Sequence, residues 1–243
     1  MSNATFYWRH LRTPLALFAI LAPLFAVSTA DLAIAHALFF DESRSRWIGA
    51  TSWWTNELIH RDGAWLIRTI AALALSLWAA TWLAPQWRAA RRPALYFFVS
   101  VVLSVGLVGL LKALTNVSCP RELAEFGGAF PYLHLFEHRP VGLGHGRCFP
   151  AAHASSGYSL LALYFMLRER SARAASIALA SAVALGLTFG LAQQSRGAHF
   201  MSHDMWSAMI VWTVALSLYS FVFQACLWDS EAHPSAGTPP RWP

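Results

Sequence analysis

Ala94-Leu-Tyr-Phe-Phe-Val-Ser-Val-Val-Leu-Ser-Val-Gly-Leu-Val-Gly-Leu-Leu-Lys112-Ala-Leu114 carries no charge until Lys112, the only lysine in the chain. A bilayer crossing takes roughly 20 apolar residues, so this stretch is long enough to span. Five others resemble it: Pro14–Ala35, Ala64–Leu83, His153–Leu167, Ala174–Ala192 and Met205–Leu227. The whole composition agrees. Of 243 residues 56% are hydrophobic and only 12% charged, and the mean hydropathy is +0.43. A soluble domain carries about 25% charged residues, too many for this chain to match. In lipid each segment must satisfy its own backbone, so helices are expected, and the shorter alternating segments of a barrel are absent. The fold class is therefore all-α: a polytopic membrane protein with six transmembrane helices and a long extracytoplasmic loop between helices 3 and 4. Residues 1–228 are expected to form one transmembrane domain, and 229–243 a disordered, Pro-rich cytoplasmic tail.

Orientation follows from the arginines. With the N-terminus inside, Arg88, Arg91, Arg92, Arg168, Arg170 and Arg173 all fall on the inner side, with Glu169 the only acid among them. The outer segments mix arginines with acids. Arg9, Arg12 and Ser28-Thr29-Ala30 offer the start and the small residues of a cleavable leader. The apolar run continues to Phe40, however, so a retained helix is expected. The net charge of +6 comes without a basic run interleaved with aromatics, so nucleic acid is not an expected partner. Between Phe39 and Asp62, Trp47, Trp53 and Trp54 suggest a segment lying at the outer interface. Gly186-x-x-x-Gly190 is a small-residue packing motif. Cys119 and Cys148 both fall in the outer segment, where an oxidising compartment permits a disulfide; two free thiols are the alternative. Cys226 reads as a packing residue.

The segment Thr115–Pro150 is too long for an idle connection, and three groups of polar residues gather around it. Lys112 either snorkels to the interface or faces a polar site inside the bundle. His153 opens helix 4 after Ala151-Ala152, where free backbone N–H groups can hold a phosphate and an imidazole can protonate a leaving oxygen. Arg196, His199, His203 and Asp204 open helix 6, with the two histidines one turn apart on one face. Such a pair can bind zinc, but no glutamate lies between them and no third ligand is evident. The competing reading is covalent phosphoryl transfer, in which an imidazole attacks phosphorus while arginines hold the oxygens.

Over roughly 94–212 this pattern resembles the type 2 phosphatidic acid phosphatase (PAP2) superfamily, with motifs K-x6-R-P, P-S-G-H and S-R-x5-H-x3-D. The stretches Cys119-Pro-Arg-Glu-Leu and Cys148-Phe-Pro-Ala-Ala-His look like a bacterial membrane-associated branch. The resemblance implies Lys112 and Arg196 as phosphate ligands, His153 as general acid, and no metal or other cofactor. Arg121 takes the role of the first motif's arginine, displaced past Pro120. Ala151 and Ala152 stand where Ser-Gly is usual in the phosphate-binding stretch. His199 is the favoured nucleophile, with His203 at the i+4 place of the orienting aspartate and Asp204 one residue later. A nucleophile at His203 is the rival frame, since its distance from Arg196 is nearer the usual one.

The expected function is a metal-independent lipid phosphate phosphatase or phosphotransferase. It would act through a phospho-histidine at the outer face of a bacterial inner membrane, with a membrane lipid phosphate and the bilayer as partners. The alternative is a non-catalytic lipid-phosphate binder or transport component using the same anion site.

Overall fold

Apolar runs leave the backbone no partner but itself, and among the described residues five helices are long and apolar enough to cross a membrane. In the computed structural model, which describes residues 3–140 and 142–224, these are α1 (Thr5–Val27), α3 (Trp54–Leu83), α4 (Pro85–Leu114), α7 (Ala172–Ser195) and α8 (Met201–Phe223). Shorter helices lie between them: α2 (Ala30–Leu38), α5 (Ala152–Tyr158) and α6 (Leu161–Leu167). The protein is an integral membrane protein whose regular elements, among the described residues, are almost all helices. The exception is a two-residue antiparallel pair, β1 (Phe40–Asp41) with β2 (Arg46–Trp47).

The expected fourth span, His153–Leu167, is not one helix but two seven-residue helices. Serine chemistry explains the break. Ser155, Ser156 and Ser159 each donate a hydroxyl to the carbonyl three residues back, at 2.6–2.7 Å. Such back-bonding competes with the helical ladder. Beyond it, the N–H groups of Leu160, Ala162 and Leu163 bond to carbonyls only three residues back. The pair occupies the middle of the bundle, where Ala154, Ser155, Tyr158, Leu161, Ala162 and Phe165 are buried. Self-satisfied hydroxyls are what such a position requires.

Small residues let α5 and α7 approach closely. A Cβ on Gly157 would stand 2.7 Å from the Gly186 Cα, and one on Gly186 would stand 2.1 Å from the Tyr158 ring. The glycine pair of α7 thus serves two neighbours, since Gly190 faces Asp204 of α8 in the same way. The apolar core around α6 joins Phe6, Ile67, Tyr96, Phe97, Phe165, Phe189 and Tyr219. Leu73, Leu83, Leu110 and Leu114 are exposed on the outer helices, as expected where lipid is the solvent.

Other boundaries move. The first expected helix, Pro14–Ala35, divides at Ser28-Thr29, with the Ser28 hydroxyl accepting the Ala30 N–H at 3.2 Å. The second expected helix starts ten residues earlier, so the last nine residues of the supposed interfacial segment, Trp54–Asp62, are helical. Trp53 and Trp54 are exposed there, but Trp47 is not a headgroup residue. It is buried against Phe40 and Phe126, with its indole pressed on Gly197. Gly197 has φ +64° and a Cβ there would lie 2.4 Å from that indole, so both the turn and the packing call for glycine. The expected tail 229–243 and Cys226 lie outside the described residues.

Candidate active site

The segment after α4 folds back because it is clipped. Cys119 and Cys148 form a disulfide with Cα atoms 5.1 Å apart. Around it the Cys148 N–H donates to the Val117 carbonyl (3.0 Å) and Gly146 N–H to Asn116 Oδ1 (2.8 Å). Thr115 donates its hydroxyl to the Phe149 carbonyl, and Arg121 N–H reaches the Gly197 carbonyl at 2.9 Å. These bonds bring the end of α4, the start of α5 and the turn before α8 to one place. Lys112, Arg121, His153, Arg196 and His199 therefore converge although they are spread over some 90 residues of sequence.

Convergence shows in the electrostatics. His199, 4% exposed, is held well below the ordinary histidine value, first by burial and then by the charges of His203, Lys112 and, more weakly, His153. Arg196 is lowered by burial and by the neighbouring Arg121 charge. The Arg121 charge also lies within reach of the Lys112 ammonium. Among the described residues no carboxylate forms an ion pair with Lys112, Arg121 or Arg196. Glu122, the nearest acid in sequence to Arg121, instead accepts the Cys119 N–H at 2.9 Å. Cations gathered without acids are relieved by an anion, and arginine and lysine together suit phosphate.

His199 Nδ1 lies 2.6 Å from the Cys148 carbonyl oxygen. A carbonyl only accepts, so Nδ1 carries the proton and Nε2 keeps its lone pair. This is the tautomer a nucleophile needs. His203, 3% exposed, places its Nδ1 3.5 Å from His199 Nδ1, a longer contact than that to the carbonyl. The main-chain carbonyl, rather than His203, is thus the stronger orienter of His199.

Asp204 is brought to neither histidine. It is turned toward α7, where Gln194 Nε2 donates to Oδ2 at 2.5 Å and Gly190 leaves room for the carboxylate, while Oδ1 has no partner among the described residues. The Ala151 N–H is engaged with the His203 carbonyl at 3.3 Å, and the Ala151 carbonyl accepts the Ser207 hydroxyl at 3.0 Å. That alanine ties α5 to α8 rather than offering its N–H outward. Ala152 starts the helix beside it.

His153 Nε2 donates to the Ile59 carbonyl at 3.0 Å, and its ring packs against those of His60 (4.6 Å) and Phe189 (5.1 Å). His60 accepts at Nδ1 from Gln193 Nε2 (3.0 Å), and Gln193 Oε1 accepts from Arg196 Nη1 (3.1 Å). Neither His60 nor Gln193 is apparent as a site residue in the sequence. Asp31 is a third omission: 4% exposed, it accepts the Ser202 N–H (3.0 Å) and hydroxyl (2.5 Å) at the start of α8. A signal for it existed, because a lone acid in an apolar run is a functional candidate by default.

Behind His203 lies a separate cavity of about 390 Å³, lined also by Asp31, Tyr132, His134, Arg139 and Trp206. Among the described residues no three of His, Cys, Asp and Glu come together as a metal site.

A buried imidazole beside cations that form no ion pair among the described residues, within a helical bundle, is an arrangement suited to receiving an anion. The family model described as the PAP2 superfamily matches residues 93–226, more than half of the chain, and the protein belongs to that superfamily as a PAP2-family phosphatase. No curated protein and no solved structure matches it.

Proposed function

We propose that the protein is a metal-independent phosphatase or phosphotransferase acting on a lipid phosphate at the outer face of a bacterial inner membrane. The observation that carries this reading is the pairing of Lys112, Arg121 and Arg196, without an acid among them, with a His199 whose Nε2 is left free. Residues 1–228 act as one transmembrane domain. We take the broken pair α5–α6 as a sixth crossing, which, with Arg88, Arg91, Arg92, Arg168, Arg170 and Arg173 on the inner side, leaves the site on the outer side.

In the first half-reaction the Nε2 lone pair of His199 attacks phosphorus, and the phosphorus–oxygen bond to the lipid breaks. His153, as imidazolium, gives its Nδ1 proton to the leaving oxygen while Nε2 stays on the Ile59 carbonyl. Lys112, Arg121 and Arg196 spread the charge of the transferring group. In the second half-reaction water, or a lipid hydroxyl, attacks the phospho-histidine; His153 takes the proton and His199 leaves as neutral imidazole. The Cys148 carbonyl holds the His199 N–H throughout, the orienting role that the family's motif gives to an aspartate. A carbonyl stabilises developing imidazolium less than a carboxylate does, so a moderate turnover is expected.

The displaced Asp204 favours a second reading, a binder that retains the anion site without turnover. Phosphate release from a panel of lipid phosphates and diphosphates separates the two. Release that disappears in His199→Ala supports the enzyme, whereas intact lipid binding without release supports the binder.

A further inference from the structure

The Arg196–Gln193–His60 chain has only one hydrogen-bonding sense. A guanidinium can only donate, so Gln193 must turn Oε1 to Arg196 and its NH2 to His60. His60 must then accept at Nδ1, which leaves the proton on its Nε2. The His60 and Phe189 rings both pack against the His153 ring, at 4.6 and 5.1 Å. The residue before it supplies the carbonyl that holds His153 Nε2. One turn of α3 therefore provides both the wall and the anchor of His153, and Gln193 ties that turn to a phosphate-binding arginine. The charged and titratable groups facing this turn are His153, Arg196 and Lys112, with Arg68 acting on His153 from α3 itself. His60 lies outside residues 93–226, the part matched by the family model.

The geometry points to His60 as a positioning residue for the general acid, coupling the seating of phosphate on Arg196 to the orientation of His153 through Gln193. This rests on the phosphatase reading above. When Arg196 closes on a phosphate oxygen, the Gln193 amide keeps His60 against the His153 ring, and Nδ1 of His153 stays aimed at the leaving oxygen. His60 itself transfers no proton.

A general acid matters in proportion to how poorly the leaving group departs unaided. An alkyl lipid phosphate expels an alkoxide and needs the proton, whereas p-nitrophenyl phosphate expels a stable phenolate and needs almost none. His60→Ala and Gln193→Ala, each assayed as purified full-length protein in detergent, give the test. On a dialkylglycerol phosphate, kcat should fall roughly 10- to 100-fold in His60→Ala, within the range of general acid catalysis, and less in Gln193→Ala. On p-nitrophenyl phosphate His60→Ala should stay within about threefold of wild type, since the nucleophile and cations are untouched in that variant. Equal losses on both substrates, or no loss on either, would overturn the positioning role while leaving the phosphatase reading intact. A wild type that turns over neither substrate would overturn the phosphatase reading and this inference with it.

Discussion

Replacing Asp31 by alanine should loosen the start of the helix on which the histidine pair is built. Helix α8 has no side-chain cap of its own, since Phe200 occupies the N-cap. Asp31, 171 residues earlier in the chain, supplies the carboxylate instead, accepting from the Ser202 N–H at 3.0 Å and the Ser202 hydroxyl at 2.5 Å. Loss of an N-cap costs about 0.5–2 kcal/mol, and hydrogen bonds to charged groups contribute about 1.5–3 kcal/mol. Removing the buried charge returns part of this, so a net loss of about 2–3 kcal/mol is expected for Asp31→Ala. On the scale for a chain of this length, that lowers Tm by about 5–10 °C, and turnover should fall because His199 and His203 flank the cap.

Asp31→Asn keeps one acceptor without the charge, so its loss should be less than half as large. The pH dependence has a definite sign. Burial raises the Asp31 pKa above its ordinary value, against the opposing Ser202 bonds. A raised folded-state pKa gives a stability contribution that is full below the ordinary carboxylate range and lost as pH rises through the folded value. The stability gap between wild type and Asp31→Asn should therefore narrow from pH 4 to pH 7. Thermal denaturation in detergent at several pH values, with phosphate release in parallel, measures all of this. An unchanged Tm and turnover in Asp31→Ala, or a gap that widens with pH, would refute the reasoning.

Gly190→Ala puts a Cβ 2.2 Å from the Asp204 carboxylate, and should cost about 1–3 kcal/mol by overpacking, read as a lower Tm. Cys119→Ser with Cys148→Ser opens a loop of sequence separation 29 and should cost roughly 3–4 kcal/mol by loop entropy, with turnover lowered because the Cys148 main-chain carbonyl that orients His199 is no longer pinned. Since burial and neighbouring charge keep His199 neutral, protonation of the nucleophile should quench kcat/KM only well below pH 6.5. An acid limb at or above 6.5 that vanished in His199 variants would contradict that. A chelator should leave turnover unchanged, and abolition reversed by zinc would revive the histidine-pair metal site.

Most of the spanning helices could be read from the sequence because apolar runs leave the backbone one solution. What could not be read were features set by long-range partners. The serine back-bonds that split His153–Leu167 are invisible to hydropathy, which sees only an apolar run of near-spanning length. Trp47 has the composition of an interfacial residue, yet Gly197, 150 residues away, offers it a flat surface inside the protein. Within the site, motif order picked out Lys112, His153, Arg196 and His199, which the fold gathers. It gave no direction for Asp204, whose carboxylate turns to Gln194 because Gly190 leaves space there. His60 looks like part of an aromatic interface until the start of α3 is docked on α5. Gln193 carries no chemistry alone and matters only through its two neighbours. A main-chain carbonyl acting as the orienter of His199 has no residue signature at all.

The central claim is that His199 forms a covalent bond to phosphorus, and acid-stable and base-stable phospho-amino acids are told apart readily. The decisive measurement is to quench wild-type protein during turnover of a ³²P-labelled lipid phosphate and map the label by mass spectrometry. The account predicts an acid-labile, base-stable phosphoryl group on His199, accumulating further in His153→Ala when the donor has a good leaving group. Label on His203, or turnover by wild type with no phosphorylated protein at any time point, would contradict it.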